Sequence, residues 1–169
     1  LVLLEAELED KEDWSGEYKS MFWAVATLAF FGAFRVGELL SKKANSIDMD
    51  QDLLLKDVKL VKRMVGKTKK EILEVNLKLP KEAKMNTKGI KVEVFSNRSR
   101  MCPVKAFLHY KQVVGVKNLN SASFRLPRLG LAYRHDRFNK DLKALLCGHL
   151  PYGSITGHSF RAGLSTLLG

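Results

Sequence analysis

From Met21 to Phe34 the chain carries no charged residue, and Phe22, Trp23, Ala26, Ala29, Phe30 and Ala33 recur at helical spacing. A helix with a single apolar stripe can lie on a surface, but one that is apolar nearly all round must be enclosed. The spacing predicts a helix over residues 18–41 at the centre of the fold, with other elements wrapped around it. The run is too short to cross a bilayer, and Arg35 and Glu38 follow it directly, near the expected carboxyl end of the helix.

The middle of the chain changes period. Leu73, Val75, Leu77 and Leu79 alternate with Glu74, Asn76 and Lys78, and Ile90, Val92 and Val94 alternate with Lys91 and Glu93. Period two is the mark of a half-buried strand. A weaker run over 53–61 predicts a third strand, and a cationic loop from Pro80 to Gly89 joins the first two. Helices then return. Pro103 suits a first helical position, with Ala106, Phe107, Tyr110, Val113 and Val114 on one face as far as Gly115. A second helix is expected over 134–147, with Phe138, Leu142, Leu145 and Leu146 inward and Gly148 as its stop. Residues 116–133 read as a connecting loop and residues 5–13 as an acidic surface lead-in. The fold class is α+β, a mostly helical domain around a small three-stranded antiparallel sheet. Residues 1–17 form the lead-in and 18–169 the domain.

Charge narrows the choice of partner. Lysine and arginine outnumber aspartate and glutamate 29 to 18, a net charge of +11, which favours a polyanion, above all nucleic acid. An apolar fraction of 46% supports a packed core rather than disorder. Cys102 and Cys147 fit neither a disulfide framework nor a metal-ligand spacing, as reduced thiols in an intracellular protein would. His135 and His149 also lack partners at ligand spacing, so no metal is expected. Leu1–Leu4 is too short for a signal segment, and no membrane span is predicted.

Arg35 then needs an explanation. A guanidinium at the end of a buried helix is unfavourable unless an anion meets it. The plain alternative is an i,i+3 pair with Glu38. A second cationic constellation stands in Thr156-Gly157-His158-Ser159-Phe160-Arg161-Ala162-Gly163, where a helix would set His158 and Arg161 on one face. Two guanidiniums suit a phosphodiester in transfer, because each offers paired hydrogen bonds to its non-bridging oxygens. A loop lysine can serve as general acid to the leaving oxygen.

These stretches resemble the tyrosine recombinase (phage integrase) family. Phe31-Gly32-Ala33-Phe34-Arg35-Val36-Gly37-Glu38-Leu39 is similar to its first arginine box, and Thr156-Gly157-His158-Ser159-Phe160-Arg161 to its second. The resemblance implies that Arg35, His158 and Arg161 are catalytic residues on the scissile phosphate and that Glu38 supports the fold. It implies a catalytic lysine in the loop between strands, at Lys81 of Leu79-Pro80-Lys81, with Lys84 as the alternative. The spelling of both boxes, with Met101-Cys102-Pro103-Val104, resembles recombinases of eukaryotic mobile elements of the DIRS and Crypton kinds, which implies the nucleus. Gly32 departs from the bacterial pattern by standing three residues before the arginine instead of two.

The family implies double-stranded DNA as partner, a homo-oligomer on that DNA, and strand exchange without a cofactor. Lys84, Lys88, Arg98 and Arg100 are expected to contact DNA, with Arg125 and Arg128 as further candidates. The nucleophilic tyrosine of such enzymes follows the second box, whereas Tyr18, Tyr110, Tyr133 and Tyr152 all precede it. The expectation is therefore a truncated catalytic domain, inactive alone, from an active parent. The competing expectation is a non-catalytic DNA-binding module derived from a recombinase.

Overall fold

The computed structural model describes residues 1–78 and 89–149. Within them, five α-helices and one three-stranded antiparallel sheet give the expected α+β arrangement. The first helix, α1 (Val2–Glu9), was not expected. It falls in the stretch read as a surface lead-in, yet Leu4 and Leu8 are 5% and 6% exposed and belong to the core. Two leucines four residues apart lie on one helical face, and the acidic residues around them hide that face in the sequence.

Helix α2 (Gly16–Phe31) is the enclosed element. The Ser15 hydroxyl accepts from the Tyr18 backbone N–H at 3.2 Å and caps its start. From Ser20 to Ala29 every residue except Trp23 is buried. Neither hydroxyl in that run is stranded: Ser20 donates to the Glu17 carbonyl and Thr27 to the Trp23 carbonyl, both at 2.8 Å. The helix ends ten residues earlier than the periodicity predicts, because the chain turns at Gly32.

Helix α4 (Pro103–Val114) packs along α2 and contributes Val104, Phe107 and Tyr110 to the same core. Its limits follow the sequence signals. Proline opens it, and Gly115 closes it with φ +69°, a left-handed conformation that favours glycine.

The sheet has the order β1 (Val58–Val65), β2 (Thr68–Leu77), β3 (Ile90–Phe95). The register sets Val58 opposite Val75 and Leu73 opposite Val94, so these four share the face turned to the core. β1 begins five residues after the expected start at 53. Residues 55–57 form a 3-10 turn in which the Asp57 carboxylate accepts from the Leu54 N–H at 2.9 Å. β1 and β2 are joined by the two residues Gly66 and Lys67, with Gly66 at φ +62°. At the other end of β2, Lys78 donates to the carbonyls of Met49 (2.6 Å) and Asp52 (2.8 Å) and lies 3.2 Å from Asp57. This fixes the strand end from which residues 78–89 lead to β3.

Residues 116–133 are more than a connection. They make short bridges, Leu54 with Ala122 and Arg125 with Ala132, and they bury Phe124 and Tyr133. The Tyr110 hydroxyl donates to the Ser123 carbonyl at 3.1 Å and accepts from the Arg125 N–H at 2.8 Å. Helix α5 (His135–Leu145) closes the described fold, with Phe138 stacked on Phe22 of α2 at 4.9 Å between ring centroids. None of the described helices is long and apolar enough to cross a membrane.

Candidate nucleic-acid interface

Arg35 owes its position to a reversal of the chain. After α2 the Gly32 N–H bonds to the Leu28 carbonyl (2.9 Å) and the Phe34 N–H to the Ala29 carbonyl (3.0 Å). Ala33, at φ +52°, takes the left-handed turn. Phe34 folds back into the core at 2% exposure. A Cβ on Gly32 would stand 2.2 Å from Cε2 of that ring and 2.9 Å from the Leu28 carbonyl oxygen, so the reversal has room for glycine only. Arg35 comes next, exposed, at the start of the four-residue helix α3 (Val36–Leu39).

This corrects the expectation of an arginine inside a buried helix. The apolar periodicity runs on through Phe34, but the Gly32–Ala33 turn breaks the helix and sends the next side chain outward. The alternative of an Arg35–Glu38 ion pair is not formed either. The Glu38 carboxylate accepts from the Arg35 backbone N–H at 2.8 Å, and the Glu38 N–H donates to the Arg35 carbonyl at 2.8 Å. Glu38 therefore ties the backbone beneath Arg35 and leaves the guanidinium without an acidic partner among the described residues.

Helix α3 rests on the start of α5. Ser41 and Arg134 form a parallel bridge, and a Cβ on Gly37 would lie 4.0 Å from Cδ2 of His135. His135 in turn is 3.1 Å from the Asn139 amide. α5 is held by a cluster that the sequence did not reveal. Asp141, 7% exposed, accepts on one carboxylate oxygen from the hydroxyls of Tyr18 (2.5 Å) and Tyr133 (2.6 Å). The Arg137 Nε–H lies 3.3 Å from its other oxygen and 3.2 Å from the Tyr18 hydroxyl. Burial, then the hydrogen bond to Asp141, pushes the Tyr18 phenol up to about 12. Burial and the Asp141 charge also raise Tyr133, and burial raises Tyr110. A phenol pushed upward is a poor nucleophile.

The remaining expected residues divide in two. Arg98 and Arg100 are exposed on the loop after β3, where Arg100 lies 3.3 Å from Glu5 of α1. That loop is held by the Asn97 carboxamide, which accepts from the Ser99 N–H (3.0 Å) and hydroxyl (2.7 Å). Lys81, Lys84 and Lys88 belong to the connection between the neighbouring strands β2 and β3, and they lie outside the described residues. His158 and Arg161 lie outside them as well. The structure thus joins Arg35 with Glu38 in one capping turn and sets Arg98 and Arg100 on a separate loop. Among the described residues no group of His, Cys, Asp and Glu could hold a metal ion.

No family model matches the chain and no curated protein is similar to it. A solved structure is. The FLP recombinase–Holliday junction complex superposes with a TM-score of 0.56 at 16% identity, over 99% of this chain and 39% of that one. The chain therefore spans about two fifths of the length of the recombinase it matches. FLP is a tyrosine recombinase, and the described helices and sheet have the fold of a protein of that family.

Proposed function

We propose that the chain is the phosphate-binding part of a tyrosine recombinase catalytic domain, extending over residues 18–169, and that its partner is double-stranded DNA. The observation that carries this reading is the exposed Arg35 guanidinium, with Glu38 engaged on the backbone beneath it, in a fold shared with a recombinase. Arg35 would hold the scissile phosphate together with His158 and Arg161. Their positive charge would stabilise the transition state without covalent chemistry. Lys81, or Lys84 in its place, would protonate the leaving 5′ oxygen from the β2–β3 connection.

In this reading a tyrosine beyond residue 169 attacks, giving a 3′-phosphotyrosyl intermediate that needs neither ATP nor a metal. Tyr18, Tyr110 and Tyr133 are unsuited to that attack, since all are hydrogen-bonded inside the fold with raised pKa values. The setting is a eukaryotic mobile element acting in the nucleus, with several protomers assembled on DNA.

Cleavage of a nicked suicide duplex by the full-length protein tests the reading. Arg35→Ala is expected to lower the cleavage rate by roughly 10²–10³, as for the loss of one transition-state donor, while DNA binding persists. Cleavage at an unchanged rate refutes the assignment. Full-length protein that binds duplex but never cleaves it supports the non-catalytic DNA-binding module instead.

A further inference from the structure

Residues 62–69 are all exposed, so the tip of the β1–β2 hairpin stands out from the body of the fold. It carries Lys62, Arg63, Lys67 and Lys69, with Lys70 next along β2. Lys62 lies 3.4 Å from Glu71, and Arg63 reaches across β2 to Glu93 on β3 at 2.7 Å. Lys67, Lys69 and Lys70 meet no acidic side chain among the described residues. The register sets Arg63 directly opposite Lys70. Like charges facing each other across a ladder destabilise it, so folding alone does not account for this concentration.

At the tip two apolar side chains are also in water, Met64 at 60% and Val65 at 40% exposure. β1 is an edge strand, but Lys59, Lys62 and Arg63 along it discourage a further strand from pairing. A polyanion is favoured by the same charges. A two-stranded ribbon is also of a size that the DNA major groove admits, at about 12 Å wide.

The geometry points to the β1–β2 hairpin as a second DNA-binding element, an arm lying in a groove of the duplex with Lys67, Lys69 and Lys70 on the flanking phosphates. This rests on the DNA-binding reading above and adds a contact separate from the Arg35 site. β2 rises about 30 Å between its ends. On a duplex lying along the strand, the arm would touch DNA about nine base-pair steps from the Leu77 end of β2.

The test is the salt dependence of binding to a mixed-sequence DNA duplex. The intact chain is compared with the triple variant Lys67→Gln, Lys69→Gln, Lys70→Gln. A second triple variant, Lys105→Gln, Lys117→Gln, Lys140→Gln, removes equal charge from exposed positions elsewhere. Each lost phosphate contact lowers the slope of log K against log salt by about 0.9. The hairpin variant should therefore lose about 40-fold less affinity than the intact chain between roughly 50 and 200 mM salt, and the second variant should behave as the intact chain does.

Equal slopes for the two triple variants overturn the proposal, since net charge would then explain the effect. So does an intact slope in the hairpin variant, with the DNA-binding reading left standing. A change of oligomeric state in Met64→Ser alongside that intact slope would assign the hairpin to a second copy of the chain. If the intact chain binds no duplex, both readings fall.

Discussion

The α2–α5 contact and the β1–β2 hairpin use similar polar chemistry to opposite ends. Between the helices, the Asp141 carboxylate is fully engaged by Tyr18, Tyr133 and Arg137, all from within the chain. On the hairpin, Lys67, Lys69 and Lys70 have no acidic partner among the described residues. Internal satisfaction makes a polar cluster part of the scaffold, because each member lost leaves another without a bond. A charge left open contributes little to folding and remains available to a ligand. Arg35 belongs with the hairpin in this respect, although it sits only a few residues from the core.

Removing Asp141 should give the largest effect. Asp141→Ala leaves two phenol hydroxyls without their acceptor and is expected to cost about 2–4 kcal/mol of stability, read from urea unfolding. A loss under about 0.5 kcal/mol, the range of ordinary surface changes, would remove the distinction between the two regions. Gly32→Ala probes the boundary between scaffold and open charge. The added Cβ must displace the Phe34 ring and should cost about 1–3 kcal/mol, with a further loss of DNA cleavage as the turn presenting Arg35 shifts.

High pH sharpens the contrast further. The folded state holds the Tyr18 phenol at about 12, above its ordinary value of 10.0. The stabilisation is complete below pH 10 and is lost as pH rises toward 12, because the folded state resists giving up this proton. Thermal melting across that range should fall more steeply for the intact chain than for Tyr18→Phe. The hairpin variant lacking Lys67, Lys69 and Lys70 should show the smallest change in stability, within about 0.5 kcal/mol, while its DNA-binding slope changes as described above.

Legibility in the sequence followed the same division. α2, α4 and α5 were readable because their apolar positions repeat locally, but only α4, between Pro103 and Gly115, had both limits marked, and α2 stops at Phe31 short of its apolar run. β1 was misplaced because Val58–Val65 is exposed along most of its length and carries no clean alternation. The burial of Phe124 and Tyr133 was hidden in a stretch with no period, since isolated bridges rather than a strand hold it. Arg35 stood out from its box, but its exposure did not, because it depends on the left-handed Ala33 and on the closeness of Gly32 to Phe34. The Asp141 cluster left no trace at all. Tyr18 and Asp141 are 123 positions apart, and a single tyrosine or aspartate has no pattern to reveal it.

That separation bears on the order in which the molecule folds. Closing a loop of 123 residues carries an entropy cost of about 4 kcal/mol before any bond is gained. Packing of α4 against α2 shortens the chain that this bond must close and so lowers that cost. α5 should then dock late, as a clasp over a preformed core. The chain segment bearing Arg35 would reach its final support, at the start of α5, only in that last step.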